Sequence, residues 1–139
     1  MPWGRRALNT IVVNEIAGAS FDAGVDGFAF TLPAGSYFVT ASAPAVGCER
    51  AAIRLATASG DTALLGAQGF ARRFETDDWL EISLSLQGRL DVPVAGAYQV
   101  EQIGQTVYSH WNLGHFLWLS ALDIPYRIFT EIFIWRLGT

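Results

Sequence analysis

The chain has 139 residues, 51% of them hydrophobic and only 16% charged, with a formal net charge of −4. That length allows one domain with a sizeable core. A charge content well under the quarter typical of soluble domains leaves apolar surface to be covered by other copies of the chain. All nine cationic side chains are Arg and the balance is acidic, so the basic field that nucleic-acid binding requires is missing and nucleic acid is excluded as a partner.

Cys48 is the sole cysteine, which rules out an intrachain disulfide and fits assembly in a reducing cytoplasm. It reads as a small filler rather than a nucleophile. Met1-Pro-Trp-Gly-Arg-Arg6 has no apolar segment after its charges, so no signal peptide is expected. No apolar run nears the roughly 18 residues that span a bilayer, and membrane insertion is not expected.

In chain order, β-rich runs alternate with Gly, Pro, Asp and Asn punctuation roughly every 8 to 12 residues. Leu8 to Ile16 is the first run, broken by Ala17-Gly18-Ala19-Ser20, and Gly24-Val25-Asp26-Gly27 is a turn. Phe28, Phe30 and Leu32 then point one way, Ala29 and Thr31 the other, as in a half-buried strand. Pro33-Ala34-Gly35 turns into Ser36 to Ala43, with Tyr37, Val39 and Ala41 on one side. Arg50 to Thr57 sets Ala51, Ile53 and Leu55 against Ala52, Arg54 and Ala56, and Ser59-Gly60-Asp61 leads to a hairpin partner, Thr62 to Gly66. Phe70 to Asp78 reads as a polar loop. Leu80 to Leu90 alternates most clearly: Leu80, Ile82, Leu84 and Leu86 against Glu81, Ser83, Ser85 and Gln87. Pro93 to Gly96 turns into Ala97 to Ile103, Gly104 to Pro125 is irregular and aromatic, and Arg127 to Leu137 is the last run. Eight or more strands with no linker and no repeat predict one all-β domain over 1–139, with a short lead-in over 1–7: an antiparallel β-sandwich of the two-sheet jelly-roll kind.

The last run is apolar on both faces, with Ile128, Ile132 and Ile134 on one and Phe129, Phe133 and Trp135 on the other. An antiparallel strand normally shows one face to water. Fully burying each such side chain contributes about 1.5–3 kcal/mol. Phe129, Phe133 and Trp135 are therefore expected either at an interface between subunits or inside a larger core of one chain.

Phe30-Thr-Leu-Pro-Ala-Gly-Ser-Tyr-Phe-Val-Thr-Ala-Ser-Ala-Pro-Ala45 resembles the "LPAGTYRIxASAP" motif of a C-terminal domain of phage tail-fibre and tail proteins. Arg6-Ala-Leu-Asn-Thr-Ile-Val-Val-Asn14 resembles that domain's opening, Arg50 to Leu65 its next hairpin, and Phe129-Thr-Glu-Ile-Phe-Ile-Trp-Arg136 its closing strand. The resemblance runs along nearly the whole chain in order and spacing. It departs from the pattern at Phe133, which stands where a charge is common, and in the aromatic loop from Gly104 to Pro125. It implies a jelly roll similar to the complement and tumour-necrosis-factor type, a homotrimer, and a virion component assembled in the host cytoplasm beside other virion proteins.

In that fold the first and last strands are neighbours, so the loop before the last strand lies at the end away from the termini. Tyr108, His110, Trp111, Asn112, His115 and Trp118, with Phe116, fall in it. Flat rings beside Asn and His suit a host cell-surface polysaccharide; equally, they suit packing against a neighbouring virion protein. No enzyme, cofactor or metal is expected. His110 and His115 lack the i, i+4 spacing of a helical metal pair, no Gly-x-Ser-x-Gly motif occurs, and Glu75, Asp77 and Asp78 read as a solvated turn rather than a calcium frame.

Overall fold

In the computed structural model, residues 4–5, 8, 15–21, 29–46, 48–69, 81–107 and 130–138 are described. Their elements are strands: β1 (Gly4–Arg5), β2 (Ser20–Phe21), β3 (Ala29–Leu32), β4 (Gly35–Val46), β5 (Cys48–Thr57), β6 (Thr62–Leu65), β7 (Glu81–Val92), β8 (Gly96–Val107) and β9 (Glu131–Leu137). Two antiparallel sheets result, as in a β-sandwich. One has the order β2-β3-β8-β5-β6, with β1 also beside β8; the other has the order β7-β4-β9.

Period-two alternation decides which side of each strand is dry. On β3, Phe30 and Leu32 are buried between partly exposed Ala29 and Thr31. On β4, Tyr37, Val39, Ala41 and Ala43 face inward. Leu84, Leu86, Leu90 and Val92 of β7 join them, and Ile53, Leu55, Tyr98 and Val100 close the core from the opposite sheet. Ile132 and Ile134 of β9 pack against the same core.

The chain changes sheets within two residues after β3. Leu32 pairs with Gly96 of β8, whereas Gly35 pairs with Val92 of β7. A backbone in transit between sheets needs other partners for its polar groups. Here they come from side chains. The fully buried Tyr37 donates its hydroxyl to the Pro33 carbonyl at 2.7 Å, and the Arg136 guanidinium donates to the Ala34 carbonyl at 3.3 Å. The β5–β6 hairpin stays within one sheet. It closes with Thr57 N–H on Asp61 O and Gly60 N–H on Thr57 O, each 2.9 Å, with Gly60 at φ 95°.

Four expectations need revision. Gly104 to Val107 are not loop: β8 continues through them, because β5 begins at Cys48 and offers a partner as far as Val107. Gly4 and Arg5, expected in a lead-in, pair with Gln102 and Glu101, filling the edge of β8 beyond Gln99, where β3 stops. Of the strand expected over 8–16, Leu8, Glu15 and Ile16 are not in a strand, and 9–14 lie outside the described residues. Finally, the alternation on β5 and β8 does not separate wet from dry, since Ala52, Ala56, Gln99 and Glu101 are buried on the face turned away from the core. The Glu101 charge is satisfied there: Arg54 donates to Oε1 at 2.6 and 2.9 Å, and Gln99 donates to Oε2 at 3.2 Å. Arg54 also reaches the Thr62 hydroxyl at 2.8 Å, tying β6 to the network. The segments 22–28 and 70–80, with the turn and the polar loop expected there, lie outside the described residues.

Gly66 lies where the two sheets come close together. Its N–H donates to Ile53 O at 2.8 Å. A Cβ at this position would stand 2.5 Å from Ile53 Cγ2 and 2.7 Å from the Ser85 carbonyl oxygen, and backbone cannot give way cheaply. Gly66→Ala is expected to lower unfolding stability by about 1–3 kcal/mol in a denaturant titration. Gly60→Ala serves as a comparison, since its site is sterically open but its positive φ carries a smaller backbone penalty.

Candidate functional site: an aromatic face on the three-stranded sheet

The register of β4 with its two neighbours lays out the outer face of the β7-β4-β9 sheet row by row. Asp91, Ser36 and Leu137 form one row; Arg89, Phe38 and Trp135 the next; then Gln87, Thr40 and Phe133; then Ser85, Ser42 and Glu131. Apolar groups gather on β9 and the centre of β4, and polar groups line β7.

Phe133 and Trp135 are on one face because they are two residues apart on a strand. Their rings lie 5.9 Å apart, 19° from parallel. Phe38 stands directly opposite Trp135 and meets it at 5.9 Å and 39°. In the single chain Phe133 is 49% and Trp135 51% exposed, with Leu137 and Phe38 at 41% and 37%. Ile132 and Ile134 of the same strand pack against the core, so among the described residues the two faces of β9 differ: one meets the core and the other keeps about half of its ring surface exposed. Phe129 lies outside the described residues. Phe38 was not singled out from sequence. Its signal was the odd-numbered burial of Tyr37, Val39 and Ala41, which turns Phe38 outward.

Beside the rings, Ser36 Oγ donates to Asp91 Oδ1 at 2.6 Å, and Arg89 Nε donates to the same oxygen at 3.0 Å. The Ser36 hydroxyl first, and Arg89 second, hold the Asp91 carboxyl below its ordinary range. A cleft of about 470 Å³ runs from Phe133 past Thr40, Gln87 and Glu131 to the exposed Leu65. A flat aromatic cluster with a polar margin is suited to contact with another protein surface. Among the described residues, no three potential metal-ligating side chains converge.

Tyr108, His110, Trp111, Asn112, His115 and Trp118 lie outside the described residues. The anchors of their segment are described. Val107 pairs with Cys48, and Glu131 pairs with Ser42, so 108–130 leaves and re-enters at the end of the sheets where β4 gives way to β5. Leu137, opposite Ser36, is at the other end.

The Asp91 arrangement is open to direct measurement. In a carboxyl-carbon NMR titration Asp91 is expected to ionise below a free aspartate, and Ser36→Ala to move it upward. Because the native value is the lower one, the stabilising contribution is complete above the unfolded aspartate pKa of about 3.9 and is lost as pH falls through the native value. No family model, curated protein or solved structure matches the chain.

Proposed function

We propose that the chain is a non-catalytic, homotrimeric jelly-roll module of a phage-type tail or fibre. Its copies meet through the outer face of the β7-β4-β9 sheet, and its 108–118 segment touches a bacterial surface glycan. The observation that carries this reading is the cluster of Trp135 stacked on Phe133 and tilted against Phe38, each ring partly exposed in one chain. Burying an aromatic side chain fully contributes about 1.5–3 kcal/mol, and three copies of one patch arranged around an axis give a closed assembly.

The strand order supports the jelly roll. From β3 to β9 the chain changes sheet at each step except the β5–β6 hairpin, as in two interlocked Greek keys. The likeness of Phe30 to Ala45 and of Phe129 to Arg136 to tail-fibre domains supports three copies and a virion setting, with other virion proteins as neighbours. The two anchors of 108–130 at one end, with Leu137 at the other, support a segment facing outward from the particle.

Light scattering on the purified protein is expected to give three times the 15.1 kDa chain mass. Phe133→Arg should yield a single-chain mass with its β circular-dichroism signature intact. A well-folded unmodified protein of single-chain mass would sink the assembly.

The glycan contact has its own test. The trimer is expected to bind host cells, and Trp111→Ala to weaken that binding about tenfold, equivalent to about 1.4 kcal/mol, with the mass unchanged. Unaltered binding, or none by the unmodified trimer, would leave a purely structural decoration, head-fibre or connector role.

A further inference from the structure

Gln102 has no exposed surface. It stands opposite Ile53 in the register of β8 with β5, so it faces the interior with Val100 and Tyr98 rather than outward with Glu101. Its Nε2 donates to the carbonyl oxygen of Pro44 at 3.2 Å, joining β8 in one sheet to β4 in the other across 58 residues of sequence. Its Oε1 is buried and has no hydrogen-bond partner among the described residues. An interior amide with one polar atom unpaired is expensive, and an apolar side chain of similar shape would avoid that cost.

The place of the bond explains what the amide does. β4 is flanked by β9 only as far as Ser42, opposite Glu131, yet it continues against β7 to Val46. Beyond Ser42, therefore, it keeps one sheet neighbour among the described residues. β8 is flanked by β1 at Glu101 and Gln102 and continues against β5 to Val107, so it too is left with one described neighbour. Among the described residues both sheets thin at the same level, on the way to the end where Val107 and Thr130 lie. Pro44 brings no N–H to that region and is tolerated where β4 has a single described neighbour. Its carbonyl is held by the opposite sheet instead.

We propose that Gln102 is a cross-sheet pin that keeps the thinned ends of β4 and β8 together, fixing the point from which residues 108–130 depart. This concerns the chain itself and holds whatever that segment binds.

The test is residue-resolved amide hydrogen exchange on the full protein and on Gln102→Leu, which keeps the bulk and removes the amide. Exchange is expected to accelerate about tenfold at Ala43, Ala45, Ile103 and Gln105, the effect of losing one hydrogen bond of the stronger neutral kind. At Leu55, Leu90 and Tyr98, towards the other end, it should be unchanged. Equal rates at the thinned end, or uniform acceleration at both ends, would overturn the proposal; the second result is what a general contribution to stability gives. If Gln102→Leu does not fold, Gln102→Met is measured in the same way. Failure of both to fold would also overturn it, because a pin at one end leaves the rest of the core standing.

Discussion

The antiparallel pairing of β4 with β7 on one side and β9 on the other is the constraint on which the remaining structure rests. It fixes Tyr37, Val39, Ala41 and Ala43 against the core and, by the same alternation, turns Phe38 out beside Trp135. A slip of one residue would exchange the two faces, placing Phe38 and Thr40 in a core shaped for Tyr37 and Val39. The Tyr37 hydroxyl bond to Pro33 and the Arg136 bond to Ala34 hold that register at the point where the chain enters β4. The aromatic face and the core are therefore two consequences of one alignment.

Polar burial in this small domain follows a consistent rule: polar side chains enter where backbone or charge would otherwise lack a partner. Tyr37 serves a crossover, beside the exposed Arg136, and Gln102 serves the Pro44 carbonyl. Glu101, although a carboxylate on a buried face, meets Arg54 and Gln99. Such networks are sensitive to partial loss, since one missing partner strands the others in a medium of low dielectric. The Arg54, Glu101 and Thr62 connection also gives β6, only four residues long, an attachment beyond its ladder with β5.

Much of the strand layout was legible in the sequence because period two is a direct physical signature. Phe30 and Leu32, Tyr37 and Val39, and Leu84 and Leu86 are buried as their alternation predicts. The β5–β6 hairpin follows from Ser59-Gly60-Asp61. What alternation does not encode is the number of neighbours a strand acquires. β5 and β8 sit side by side in the middle of their sheet, and Ala52, Ala56, Gln99 and Glu101 are buried on its outer face although their pattern reads as half exposed. The length of β8 was also hidden, because Gly104 and Gln105 resemble loop residues until β5 is known to run alongside. For the candidate site, the two-faced character of β9 was plain in Phe133 and Trp135. The part played by Phe38 was not, since it depends on which strand lies next to β9, a long-range fact absent from any local window.

The β5–β6 turn carries a practical corollary for handling the molecule. Ala58, Ser59, Gly60 and Asp61 are exposed, and the hairpin beneath them is secured independently by the Thr57–Asp61 backbone bond and by Arg54 on Thr62. Doubling the length of such a loop adds only about 0.6 kcal/mol of closure entropy. The turn also lies beyond Thr57, which pairs with Tyr98 near the start of β8, far along the strands from Val107. A fluorophore or affinity peptide grafted between Ser59 and Gly60 would thus report on the protein or tether it to a surface while leaving the opposite rim unobstructed.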